Sequence, residues 1–215
     1  MCKCSVSMIC GIDEAGRGPL AGPVCAAAVI LPPDFPVDCL GDSKKLSPAS
    51  RQKAKKLIIA HSPAWGIGWA SAAEIDQINI LQSSLLAMKR AFLSMLDVFF
   101  NSEHPALLLQ PLRSLPGNVC SIEAIVDGLY VPDIPAPCRA LVKADNEVPE
   151  VMAASILAKT ARDRLMEIYS ILYPEYGYEK HKGYPTRAHR AAIAANGPSP
   201  IQRMTFTVKP LTGRA

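Results

Sequence analysis

The stretch "GIDEAGRGPLAGPV", Gly11 to Val24, limits the fold more than any other part of the chain. The apolar run at residues 8 to 12 leads into it and "PVCAAAVILP", 23 to 32, follows; each run is short and bounded by glycine or proline, the pattern of a strand. The stretch between them reads as a hairpin connection. "AWGIGWAS", 64 to 71, reads as a third strand, "IEAIVDG" as a fourth and "CRALVKAD" as a fifth.

Helices fall between and after these runs. Ser47 has the chemistry of an N-cap, with Pro48 at the first helical position and Ala54, Leu57 and Ile58 at helical spacing. Leu81, Leu85, Met88, Phe92, Met95 and Phe99 form one stripe of the kind that packs in a core. Residues 101 to 121 carry three prolines and a glycine and read as a loop or insertion. A long alanine-rich helix is expected from Pro149 to about Tyr169, with Leu157, Ala161, Leu165 and Ile168 on one stripe. A shorter one in "PTRAHRAAIAANGP" is stopped by Asn196, Gly197 and Pro198. Three early strands that hairpins can link, then strands mixed with helices, predict an α/β domain with a mixed sheet.

At 215 residues the chain suits one substantial domain, expected to span residues 1–215 with a small helical C-terminal part over about 173–215. No apolar run approaches the ~20 residues that cross a bilayer. "MCKCSVSMIC" lacks the layout of a secretory signal, so export is not expected. Seven cysteines, several in apolar surroundings, favour a reducing cytoplasm. Neither CxxC nor HExxH occurs, which argues against a cysteine-rich zinc site or a zincin. The net charge of +4 is compatible with an anionic partner and equally with an ordinary surface.

Gly11 and Gly16 have the spacing of a phosphate-binding loop, but Arg17 and Gly18 stand where lysine and a hydroxyl residue are required, and a strand follows instead of a helix. Gly16, Gly18 and Gly22 likewise miss the dinucleotide GxGxxG spacing. What remains is a strand ending in Asp13 and Glu14, followed by an arginine between glycines. Adjacent strand residues face opposite ways, so both carboxylates meet one ion only if the chain leaves the regular strand there. The glycines would permit that and would let backbone N–H groups approach a ligand beside a guanidinium; a solvated turn fits the same residues.

Asp127 closes an apolar strand before Gly128, as a site residue or a turn former. Asp163 lies four residues after Lys159 on the long helix, where an ion pair is the plain alternative. Taken together, the four acids offer the hard oxygen ligands of Mg²⁺ or Mn²⁺ and the number of carboxylates that a two-metal phosphodiester hydrolase needs. "YEKHKGYPTRAHR" gathers Lys180, His181, Lys182, Tyr184, Arg187, His189 and Arg190. It is a basic stretch with an aromatic that could meet a nucleic acid, Lys182 and Tyr184 foremost, or a solvated basic surface.

The segments "GIDEAGRGPLAGPVCAAAVIL", "DSKKLSPASR", "GIGWASAAEIDQINILQSSLLAMKRA", "IVDG", "MAASILAKTARDRLM", "YPEYGYEKHKGYPTRAH" and "GPSPIQRMTF", in that order, cover most of the chain and resemble the type 2 ribonuclease H family, bacterial ribonuclease HII. The resemblance implies an RNase H-like fold with a five-stranded mixed sheet flanked by helices. It implies an endonuclease that cuts the RNA strand of RNA–DNA hybrids and incises 5′ of single ribonucleotides in duplex DNA. The chemistry implied is two-metal-ion catalysis giving 5′-phosphate and 3′-hydroxyl ends. Asp13, Glu14, Asp127 and Asp163 match the family's metal-binding catalytic acids. Gly16, Arg17, Gly18 and Tyr184 match its ribonucleotide-recognition group, and Ser43 and Lys44 match residues assigned to backbone phosphate contact.

Two departures bear on loop geometry: the long 101 to 121 segment, and Ala144 where glycine is expected, beside an unusual Asn-Glu-Val-Pro run. The chain stops soon after "TFTVKPLTGRA", so no tail-mediated partnership with a sliding clamp is expected, and a monomer is. Only twelve residues precede Asp13, so the extra N-terminal domain of type 3 ribonuclease H is not expected. A non-catalytic module on the same fold would be expected to lose one or more of the acids.

Overall fold

The computed structural model describes residues 8–41, 43, 46–103 and 122–208. Lys44, residues 104–121 of the expected irregular link and the chain beyond 208 lie outside the described residues. Five strands form one mixed sheet in the order β3-β2-β1-β4-β5. They are β1 (Met8–Ala15), β2 (Val24–Ile30), β3 (Ala64–Ala70), β4 (Ile122–Asp127) and β5 (Cys138–Leu141). The first three are antiparallel neighbours, whereas β4 lies parallel to β1 and β5 parallel to β4.

Helices cover both faces, and this explains why β2 is apolar throughout. Its even-numbered residues Val24, Ala26, Ala28 and Ile30 join the core beneath α2 (Ala72–Glu103), with Phe92 and Met95. Cys25, Ala27 and Val29 face the other core, with Ile58 of α1 (Pro48–His61) and Ile156 of α3 (Pro149–Leu172). Alternating side chains thus find a helix on either side, and each buried Ile or Phe contributes roughly 1.5–3 kcal/mol. On β1 the crucial residue is Gly11. A Cβ there would stand 2.1 Å from the Glu150 carbonyl carbon and 2.2 Å from the Val151 nitrogen, so only glycine lets α3 begin directly over β1. That seat carries the rest of α3 along the sheet toward Asp13.

Several boundaries differ from the sequence expectation. β1 runs to Ala15 because Asp13, Glu14 and Ala15 still pair with Ala27, Ala26 and Cys25. The strand therefore extends past residues 8 to 12 to carry both acids near its end, and the departure at Asp13 and Glu14 that would let both meet one ion does not occur. α2 begins nine residues before the Leu81 stripe, on a capping box in which the Ser71 hydroxyl accepts from the Glu74 N–H (3.2 Å) and the Glu74 carboxylate accepts from the Ser71 N–H (2.8 Å). It is interrupted at Asn79, φ 65°, whose side chain accepts from the N–H groups of Leu81 and Gln82. β5 stops at Leu141, short of the expected 145, as Lys143 turns left-handed and a 3-10 turn follows over Ala144–Asn146. The small C-terminal elements are a 3-10 turn at Pro174–Tyr176, α4 (Tyr178–His181) and α5 (Arg187–Asn196). No helix among the described residues is long and apolar enough to cross a membrane.

Candidate active site

Parallel pairing of β1 and β4 runs through Ile12 and Val126, so Asp13 and Asp127 follow side by side at the same end of the sheet. Asp13 is only 6% exposed. Burial raises its pKa well above the ordinary carboxylate range, and the neighbouring Glu14 and Asp127 charges raise it further. Glu14 is raised as well, mainly by burial, against the pull of Arg17, whose guanidinium donates to one Glu14 oxygen at 3.2 Å. The other oxygen, Oε2, is buried without a hydrogen-bond partner. Asp127 accepts from the Ala144 N–H at 2.9 Å. Ala144, where glycine was expected, is fully buried there, and the left-handed position falls on Lys143 instead.

α3 supplies the facing wall. Ser155, Lys159 and Asp163 recur every four residues and so share one face of the helix. The Ser155 hydroxyl bonds to Asp13 and lies 2.8 Å from the Ser43 hydroxyl; with Ser155 donating to the carboxylate, Ser43 is the donor to Ser155. Arg51 of α1, which also borders the cleft, supports that arrangement by donating to the Ser43 carbonyl at 2.6 Å and the Leu46 carbonyl at 3.0 Å. Ser43, expected at a substrate phosphate, is thus 2% exposed with its hydroxyl engaged inside the wall. Lys159 donates to Asp163 at 2.8 Å, the plain ion pair that the spacing allowed. Asp13, Glu14 and Asp127 are brought within electrostatic reach of one another, while Asp163 sits one turn beyond Lys159. Among the described residues, no three His, Cys, Asp or Glu side chains stand close enough to hold one ion.

A cleft of about 490 Å³ opens beside these acids, bounded by Glu14, Gly16, Arg17, Gly18, Ser43, Ser155, Lys159 and Tyr184. Gly16 has φ +98°, and a Cβ on it would meet the Arg162 side chain at 2.0 Å, so both backbone and packing demand glycine. Gly18 differs: a Cβ would meet only Tyr184, at 3.7 Å, leaving its surroundings open toward the cleft. The half-exposed Tyr184 ring stands with its centroid 5.9 Å from the Arg162 guanidinium carbon. Its backbone is held by two stacked histidines, centroids 4.4 Å apart: the Tyr184 carbonyl lies 3.0 Å from His189 Nδ1, and the Gly183 N–H donates to His181 Nδ1 at 3.2 Å. Burial lowers the pKa of both rings, consistent with a neutral pair. Lys182 does not share this cleft; its ammonium donates to Glu167 at 2.9 Å in a neighbouring groove with Asp163 and Arg164.

Arg162 and Arg203, which the sequence reading did not single out, are the buried supports of the loop from Gly16 to Pro23. Arg162 donates to the carbonyls of Pro23, Ala21 and Lys182. Arg203 donates to those of Gly22, Arg17 and Gly16. The signal available was weak: Arg162 in "TARDRLM" and Arg203 in "IQRMTF" each stand among mixed polar and apolar residues.

The donor chemistry of the three strand-end acids suits a divalent cation, although their side chains do not converge on one point in this structure. Buried oxygens that repel one another, one of them without any partner, are the hard donor set that Mg²⁺ and Mn²⁺ accept alike.

The family model described as Ribonuclease HII matches residues 10–209. A ribonuclease HII of Treponema denticola is 56% identical over 208 residues, 95% of this chain and 100% of that protein. Among solved structures, the PCNA:RNase HII complex from Archaeoglobus fulgidus aligns with TM-score 0.65 at 24% identity, covering 95% of this chain and 98% of that one. Bst-RNase HIII in complex with Mn²⁺ aligns with TM-score 0.66 at 20% identity, covering 94% and 68%. At these identities the two structures establish a common fold.

Proposed function

The chain belongs to the ribonuclease HII family, and from that premise we propose that its sheet-end cleft incises duplex DNA on the 5′ side of a single embedded ribonucleotide. The broader activity is that of the family: a metal-dependent endoribonuclease acting on the RNA strand of RNA–DNA hybrids. The reaction adds water across one phosphodiester. The bond from phosphorus to the upstream 3′-oxygen breaks, leaving a 3′-hydroxyl and a 5′-phosphate.

Asp13, Glu14, Asp127 and Asp163 are the residues that would hold the cations, with Asp163 turning from Lys159 to do so. Two divalent ions, Mg²⁺ or Mn²⁺, would supply Lewis acidity for the attacking water and the departing oxygen. Gly18 leaves the backbone open to the ribonucleotide, and Tyr184 offers a ring to its sugar or base. Ser43, Lys44 and Lys182 complete the set assigned to the substrate, Ser43 through Ser155 and Asp13 and Lys182 from the neighbouring groove. The observation that carries this reading is the Glu14 oxygen buried without a partner beside two further strand-end acids.

The test is cleavage of a DNA duplex carrying one ribonucleotide, with Mg²⁺ or Mn²⁺ and with Asp13→Asn as control. Incision immediately 5′ to the ribonucleotide, abolished in the variant and by chelation, is expected. Cutting confined to long hybrids would overturn the junction assignment, and full activity in the variant would overturn the role given to the acids.

A further inference from the structure

Behind the Gly16–Gly18 loop lie two guanidiniums that the proposed chemistry does not use. Arg203 is 0% exposed and Arg162 1%, yet among the described residues neither meets a carboxylate; all six of their hydrogen bonds go to main-chain carbonyls. A buried charge is tolerable only when its donors are satisfied, and carbonyl dipoles perform that task here. The choice of carbonyls is what matters. Arg203 takes two successive ones, Gly16 at 2.6 Å and Arg17 at 2.9 Å.

In a planar trans peptide the C=O of one residue and the N–H of the next point in opposite directions. Pinning the Gly16 and Arg17 carbonyls to one guanidinium therefore turns the N–H groups of Arg17 and Gly18 away from it. Two successive N–H groups facing one way form a small concave donor pair suited to an oxygen. Among the described residues neither N–H has an acceptor. Both residues border the cleft.

We propose that Arg203 is a positioning residue for ribonucleotide recognition, holding the Arg17 and Gly18 amides as a paired donor for the 2′-hydroxyl oxygen. This rests on reading the cleft as the ribonucleotide site. Arg203 is itself held: its N–H donates to the Leu20 carbonyl, and Asp76 of α2 accepts from the N–H groups of Met204 and Thr205, each at 2.9 Å. Lysine would keep the charge but lacks the planar fork that spans two carbonyls.

The experiment compares binding, in chelator, of two duplexes of one sequence, one carrying a single ribonucleotide and one all-DNA. The wild type is expected to favour the ribonucleotide duplex by about tenfold, the scale of one or two hydrogen bonds. In Arg203→Lys, verified as folded by its melting transition, that preference is expected to vanish with all-DNA binding unchanged. KM for the junction substrate rises while kcat at saturation and the Mn²⁺ half-saturation hold. Asp76→Asn, which keeps the buried arginine and loosens its anchor, is expected to lose about threefold of the preference in the same direction, and it decides the matter if Arg203→Lys does not fold. An intact preference in the folded variants, or an equal loss for both duplexes, would overturn the positioning role. A wild type with no preference would instead remove the reading of the cleft, and this inference with it.

Discussion

Two groups of buried charge lie at opposite sides of one loop, and they are satisfied in opposite ways. Every guanidinium nitrogen of the arginines beneath it donates to one of the protein's own carbonyls. Burial, with Arg162 nearby, pushes the Arg203 pKa down only to about 9, so it stays charged at neutral pH. The carboxylates beside the loop raise one another's pKa and leave an oxygen with no partner. A group completed internally holds shape; a group left incomplete awaits something from outside. The contrast separates scaffold from site without reference to which residues are charged, since both sets are.

The largest effect expected from breaking this contrast is that of Asp13→Asn, a loss of about a thousandfold or more in cleavage. Its stability should move the other way. Because the folded-state pKa of Asp13 is raised, the folded protein binds its proton more tightly than the unfolded chain. The stability this group gives is present below the unfolded carboxyl pKa and is lost as pH rises through the folded value. Melting at pH 7 in chelator should therefore be higher for the variant, and added Mn²⁺ should raise the wild type's transition more than the variant's. A variant that melts lower in chelator would show that the acids are completed by the protein after all.

The next comparison lies within the loop. Gly16→Ala meets both a positive φ and the Arg162 side chain and should cost about 2 kcal/mol or more in denaturant unfolding. Gly18→Ala has room and should change stability by less than about 0.5 kcal/mol, while cleavage of the single-ribonucleotide duplex falls about tenfold. Equal destabilisation by the two would erase the distinction between the loop's packed and open sides. The smallest effect belongs to Tyr184. Tyr184→Phe keeps the ring over Arg162 and should alter KM by no more than about twofold, against about 1–3 kcal/mol for Tyr184→Ala if the ring stacks on the substrate.

Much of this was legible in the chain. The β1–β2 hairpin followed from two apolar runs around a glycine-rich turn, and the Ser47 cap with Pro48 appears as read, Ser47 accepting from the Ser50 N–H at 3.1 Å. The start of α2 was equally legible in "SAAE", whose capping box precedes the apolar stripe that draws attention. The early end of β5 was not, because it depends on Asp127 claiming the N–H of Ala144 from a neighbouring strand.

The sequence by itself determined which residues alternate toward two cores, that Asp13, Glu14 and Asp127 close strands, and that Ser155, Lys159 and Asp163 share a helix face. Tertiary structure alone decided that β1 and β4 lie side by side, so that Asp13 and Asp127 fall within electrostatic reach of each other beside the cleft that Glu14 lines, and that Arg203 closes on Gly16 from 187 residues away. The physical reason lies in the partners. An acid facing an acid leaves a pattern of residue types, whereas every residue carries a carbonyl, so an arginine bound only to main chain leaves no mark on the sequence that receives it.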